Sequence, residues 1–98
     1  MRFSTKAIHV GEEPTKPTGT VVVPIYQVST FRQDEPGIEG EYVYARTGNP
    51  TRAALESNLA ALEEGKYGLA FASGMAAETT VTLSLLRQGD HVLAVEDL

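Results

Sequence analysis

Proline and glycine divide this chain in two near residue 50. Pro14, Pro17, Pro24 and Pro36 all lie before that point, as do Gly11, Gly19, Gly37, Gly40 and Gly48. Proline fixes φ and removes a backbone donor, and glycine loosens the main chain, so no helical period survives over residues 1–48. The stretch TVVVPIYQVSTF is expected to give short extended pieces broken at Pro24, and QDEPGIEGE a polar loop. So long an irregular run is unusual inside a compact domain. Its apolar anchors Ile25, Tyr26, Val28 and Phe31 favour an arm that orders against a partner, such as a second subunit, over a disordered tail.

From residue 50 the pattern changes. Asn49 is a good N-cap, and Pro50 suits the first helical position, where its missing N–H costs nothing. Leu55, Leu59 and Leu62 repeat at i, i+4 and i+7, with Ala54 and Ala61 beside them. This predicts an amphipathic helix of about four turns that stops at Gly65. YGLAFAS reads as a buried strand over Tyr67 to Ala72, interrupted at Ser73-Gly74. MAAETTVTLSLLRQ reads as a second helix, opening near Gly74 and apolar over most of its surface, hence buried. Gly89-Asp90 turns the chain into a second buried strand, His91 to Val95. Helix, strand, helix, strand with short connections is the grammar of an α/β fold with a parallel sheet. Two strands do not make a stable sheet, so the chain is expected to be an incomplete domain. Residues 1–49 would be the arm and residues 50–98 the start of the α/β domain.

Composition narrows the function. Net charge is −5, and the eight Lys and Arg are scattered, which disfavours a nucleic-acid partner. There is no cysteine, so no disulfide framework and no thiolate metal site. No apolar run approaches the roughly 18 residues of a membrane span. The N-terminal residues lack the apolar segment of a secretory signal. A soluble, cytoplasmic protein is the expectation. His9 with Glu12 and Glu13 is too sparse a set to suggest a metal, and none is expected.

Two stretches carry chemistry. In ASGMAAE a strand ends and a helix opens, and unpaired N–H groups at a helix N-terminus make an anion site. Gly74 removes the Cβ that would obstruct a close ligand. The plainer reading, with Ser73 as N-cap and Gly74 easing a tight turn, stands beside it. The glycine fingerprints of dinucleotide and Walker loops are absent, as is the nucleophile elbow. In YARTGNPT, Tyr44 and Arg46 stand two apart, and in an extended segment both would project to one side and converge on an anion. Taken alone, an exposed tyrosine beside a surface arginine is the commoner explanation.

Together these stretches resemble a known family. YARTGNPTRAALESNLAALE, then AFASGMAA, then GDHVLAVEDL, is similar in order and spacing to the N-terminal part of the cysteine and methionine metabolism enzymes. These are pyridoxal 5'-phosphate (PLP) enzymes of aspartate-aminotransferase-like fold (PLP fold type I), among them cystathionine γ-synthase, cystathionine β- and γ-lyase, methionine γ-lyase and the O-acylhomoserine sulfhydrylases. TKAIHVGEEP and PIYQVSTF also look like the family's N-terminal arm.

The resemblance implies roles. Tyr44 and Arg46 match residues that reach across a dimer interface to the cofactor phosphate of the neighbouring subunit. Gly74 and Met75 match the turn whose backbone N–H groups hold the phosphate within the same subunit. The Schiff-base lysine, the acid that protonates the pyridine nitrogen and the tyrosine that stacks on the ring are expected beyond Leu98. Lys6, Lys16 and Lys66 match no catalytic position, and neither do Asp90 and Asp97. The chain alone is therefore expected to be inactive, with no catalytic residue of its own. Its partners would be the rest of its own polypeptide, a small amino-acid substrate, and further copies in a dimer at least, or a tetramer. The intact enzyme would eliminate or replace a β- or γ-substituent, with a leaning to the cystathionine γ-synthase or γ-lyase type. The competing reading is a stand-alone phosphate-ligand or interaction module without catalysis.

Overall fold

The computed structural model describes residues 1–12 and 18–98, so Glu13 and Lys16 lie outside the described residues. Among the described residues three helices follow one another: α1 (Phe3–His9), α2 (Pro50–Leu62) and α3 (Gly74–Leu85). The irregular stretches between them are fastened chiefly to α2.

The start of α2 is built as its sequence suggests. Asn49 caps it, with Oδ1 accepting from the Thr51 N–H at 2.9 Å, and Pro50 stands in the first turn. The flanking side chains also bind the arm. Asn49 Nδ2 donates to the Tyr26 carbonyl at 3.0 Å. Thr51 Oγ1 donates to the Pro24 carbonyl at 2.8 Å and accepts from the Tyr26 N–H at 2.9 Å. The C-terminus differs from expectation in one residue. The left-handed position is Glu64, at φ 56°, and Gly65 follows it with its N–H on the Ala60 carbonyl at 2.8 Å. That is a Schellman closure, with glutamate where glycine is usual.

Helix α1 is a departure from the sequence reading, which gave no helix before residue 50. Seven residues without a side-chain N-cap would not hold a helix unaided. Its support comes from α2. The Asn58 side-chain amide donates to the carbonyls of Lys6 (3.0 Å), Ala7 (3.3 Å) and Val10 (2.8 Å) at the C-terminal end of α1. Lys6 Nζ pairs with Glu64 at 3.5 Å. Gly11 follows at φ 83°, pressed against the Ala54 carbonyl, where a side chain would meet backbone.

The arm carries its own bracing. Ser29–Phe31 runs antiparallel to Val43–Ala45, with Phe31 N–H on Val43 O at 2.9 Å and Ala45 N–H on Ser29 O at 2.8 Å. Gln33 Nε2 donates to the carbonyls of Phe31 and Tyr42, and the two rings lie 5.5 Å apart, tilted by 38°. Burial raises the pKa of the Tyr42 phenol, and the adjacent Glu41 carboxylate adds to the shift.

Neither expected strand forms. Among the described residues, 67–72 and 91–95 join no ladder, because a strand exists only through hydrogen bonds to neighbours and these two do not pair with each other. Burial fails for the same reason. Leu69, Leu93 and Val95 are exposed, as are Leu83 and Leu85 on α3. The leucine stripe of α2 is also open, with Leu55 51% and Leu59 46% exposed, while its Ala54–Asn58 side takes α1 and Gly11. No described residue is fully buried. The accessible surface is 8640 Å², against about 5,400 Å² for a compact protein of this mass. The radius of gyration is 17.2 Å, against about 13 Å for a compact domain.

Candidate functional site

Tyr44 and Arg46 do come together, though not by strand alternation. The chain turns at once after Tyr44: the N–H groups of Thr47 and Gly48 and the hydroxyl of Thr47 all bond to the Tyr44 carbonyl, at 3.0, 3.0 and 2.9 Å. The turn folds Arg46 back, so that its guanidinium lies 5.3 Å from the centre of the Tyr44 ring. A cation on an aromatic face is a modest attraction at an exposed site. It holds a fork of N–H donors beside a phenolic hydroxyl, both suited to a phosphate or carboxylate.

The second stretch is the start of α3. Ser73 is the N-cap: its Oγ accepts from Ala76 N–H at 3.1 Å, and its carbonyl accepts from Ala77 N–H at 3.2 Å. The two N–H groups between, on Gly74 and Met75, find no acceptor among the described residues. A Cβ built on Gly74 would meet nothing within 4 Å, so the space before the helix is open. The capping and anion readings are thus compatible, since the cap uses Ala76 and leaves the two donors nearest the dipole's positive end. The Met75 side chain is exposed. No hydrogen bond, ion pair or ring contact links Tyr44 or Arg46 to Ser73–Met75 among the described residues.

Between these stretches runs a pair of side chains that sequence reasoning passed over. Arg52 Nη1 donates to the carbonyls of Ala45 and Arg46, both at 3.3 Å. Arg52 Nε stands 3.6 Å from Glu56 Oε1, and the same oxygen accepts from the Ala70 N–H at 2.9 Å. Lys6 pairs with Glu64, and the Lys66 ammonium lies 5.1 Å from the centre of the Tyr67 ring. Asp90 accepts from the Arg87 N–H at 2.7 Å in the turn before residue 91. Among the described residues no group of three His, Cys, Asp or Glu is placed to hold a metal ion, and no helix is long and apolar enough to cross a membrane.

Chemically, both stretches present donors suited to an anion: the Gly74 and Met75 N–H groups in one, the Arg46 guanidinium beside the Tyr44 hydroxyl in the other. The chain belongs to the Cys/Met metabolism PLP-dependent enzyme family, whose family model matches residues 4–98. It is 56% identical over 95 residues to the cystathionine gamma-synthase of Mycobacterium bovis, which covers 96% of this chain and 24% of that protein. Among solved structures, metB from Corynebacterium glutamicum superposes with a TM-score of 0.86 at 48% identity, over 93% of this chain and 24% of that one. Cystathionine gamma-lyase from Lactobacillus plantarum, solved with L-serine, gives 0.81 at 54% identity, over 93% and 23%. The chain spans about a quarter to a third of the length of the curated relatives it matches first, 24 to 30%. Its fold class is that of these neighbours, the first part of an aminotransferase-like α/β domain.

Proposed function

We propose that this chain is the cofactor-anchoring segment of a PLP-dependent enzyme of the cystathionine γ-synthase or γ-lyase type, acting in transsulfuration or methionine and cysteine metabolism. The observation that carries the reading is the pair of open N–H groups on Gly74 and Met75 at a capped helix start with clear space before it. These donors fit a phosphate monoester, the group by which PLP is held. When bound, PLP supplies an electron sink for the amino-acid substrate. The residues of this chain bind and orient it.

Tyr44 and Arg46 form the second donor set. They take the phosphate held by a neighbouring subunit, which makes residues 1–49 an arm and the assembly a dimer at least. Among the described residues the two donor sets share no hydrogen bond, ion pair or ring contact, so neither occupies the other. The remaining partners are the rest of the polypeptide and a small sulfur amino acid. Similar identity to a synthase, 56%, and a lyase, 54%, supports the type without separating the two reactions. By itself the 98-residue chain catalyses nothing. The stand-alone module is the weaker reading, since no described side chain is fully buried.

The test is PLP titration of the full-length apoenzyme carrying this segment. Arg46→Ala is expected to weaken binding by about tenfold to a hundredfold, the value of one or two charge-assisted hydrogen bonds. Unchanged affinity would remove Arg46 from the site.

A further inference from the structure

We propose that Arg52 and Glu56 are positioning residues: they hold the Arg46 turn at a fixed offset from the segment that enters Ser73–Met75, and the affinity for PLP depends on that hold. The inference rests on the reading of Arg46 as a phosphate ligand and adds what aims it.

Hydrogen bonds and one ion pair connect the Arg46 turn to Ala70, in the segment that enters Ser73–Met75. The guanidinium of Arg52 holds two consecutive carbonyls, Ala45 and Arg46, so it fixes the peptide plane from which the Arg46 side chain leaves. Its Nε faces Glu56 Oε1, and that oxygen also takes the N–H of Ala70, three residues before Ser73. Both ends grip main chain, so what they position is backbone. Both side chains are largely covered, Arg52 33% and Glu56 22% exposed, which spares the bonds much of the screening of an open surface pair.

Helix stabilisation does not account for Arg52. A cation in the first turn faces the positive end of the dipole, and α2 has no acidic residue there to offset it. An arginine four residues before a glutamate is also the less favourable order for an i,i+4 pair. The residue stands where helix electrostatics oppose it, and the two carbonyls are the interactions that offset the cost.

The experiment uses the full-length enzyme and PLP itself. Apoenzyme is titrated with PLP, read by cofactor absorbance, for the parent, Arg46→Ala, Arg52→Met and the double variant. Thermal melting and subunit assembly of each apoenzyme are measured alongside. Arg52→Met is expected to bind PLP about fivefold to tenfold more weakly with its assembly intact. In the Arg46→Ala background the same change is expected to cost nothing further, because Arg52 acts only through Arg46. Arg52→Lys, whose single ammonium nitrogen cannot face Glu56 and hold the two carbonyls at once as Nε and Nη1 do, is expected to recover only part of the loss. It carries the same comparison should the methionine variant fail to assemble. Losses that multiply independently would overturn the relay, as would a weakened Arg46→Ala beside an unaffected Arg52→Met. An unaffected Arg46→Ala would remove the phosphate reading first and the relay with it.

Discussion

Gly68 lies so close to Glu56 that a methyl group in place of its hydrogen would overlap the Glu56 carbonyl oxygen and crowd the Ala60 nitrogen at 3.4 Å. The neighbour is helical backbone, which cannot swing aside. Gly68→Ala is therefore expected to push the 66–70 segment off α2 and stretch the Glu56 to Ala70 bond. The cost should be about 1–3 kcal/mol, the usual range for overpacking, measured by urea unfolding of the full-length apoenzyme. A stability equal to the parent's would mean that the segment sits farther from α2 than this structure has it.

Gly74 gives the opposite expectation. An alanine there meets nothing within 4 Å, and the position opens a helix, where alanine is the better residue. Apoenzyme stability should hold or rise slightly with Gly74→Ala. If the proposed anchoring holds, PLP affinity should fall, because the methyl group would take space needed by the phosphate. Titration and melting on the same sample separate the two effects. A variant that melts early and binds normally would contradict both expectations.

Asn58 is the clamp on α1. Asn58→Asp keeps the shape, removes the N–H donors and sets a carboxylate against three carbonyl oxygens. It should cost more than Asn58→Ala, which is expected to lose about 1–3 kcal/mol of local stability. Hydrogen exchange at the Val10 amide, bonded to Lys6 O at 3.1 Å, reads the loss directly. Exchange no faster than in the parent would show that α1 is held by other means.

Tyr42 makes the arm sensitive to alkali. Burial raises its pKa above the ordinary tyrosine value, and Glu41 adds to the rise. The folded arm thus favours the neutral phenol. Its contribution is fully present below the ordinary tyrosine pKa of 10.0 and is lost as pH climbs through the higher folded value. An ultraviolet phenolate titration should show a late-titrating component that disappears in Tyr42→Phe. A titration unchanged by that substitution would refute the assignment.

How much of this was legible in the sequence depends on what each feature needs. The openings of α2 and α3 were readable because Asn49-Pro50 and Ser73-Gly74 act on their own neighbours. The Tyr44–Arg46 pair was visible, but its geometry was misread, since the turn depends on three bonds to one carbonyl. The two strands were read as parts of an incomplete sheet, and their hydrogen bonds are not made within the described residues. Helix α1 was missed because its support lies about fifty residues away, on Asn58. Gly68 was the overlooked clue: a glycine inside an apolar run signals close backbone approach.

The tethers radiating from α2 share one property. Asn49, Thr51, Arg52, Glu56 and Asn58 each grip main-chain atoms elsewhere. A carbonyl or an N–H is the same whatever side chain its residue carries. The gripped positions, Pro24, Tyr26, Ala45, Val10 and Ala70 among them, are free to drift in sequence as long as the path of the chain is kept. Mutational tolerance should therefore be lopsided: five side chains on or beside one helix carry the constraint, and evolution is left with latitude in the segments they hold.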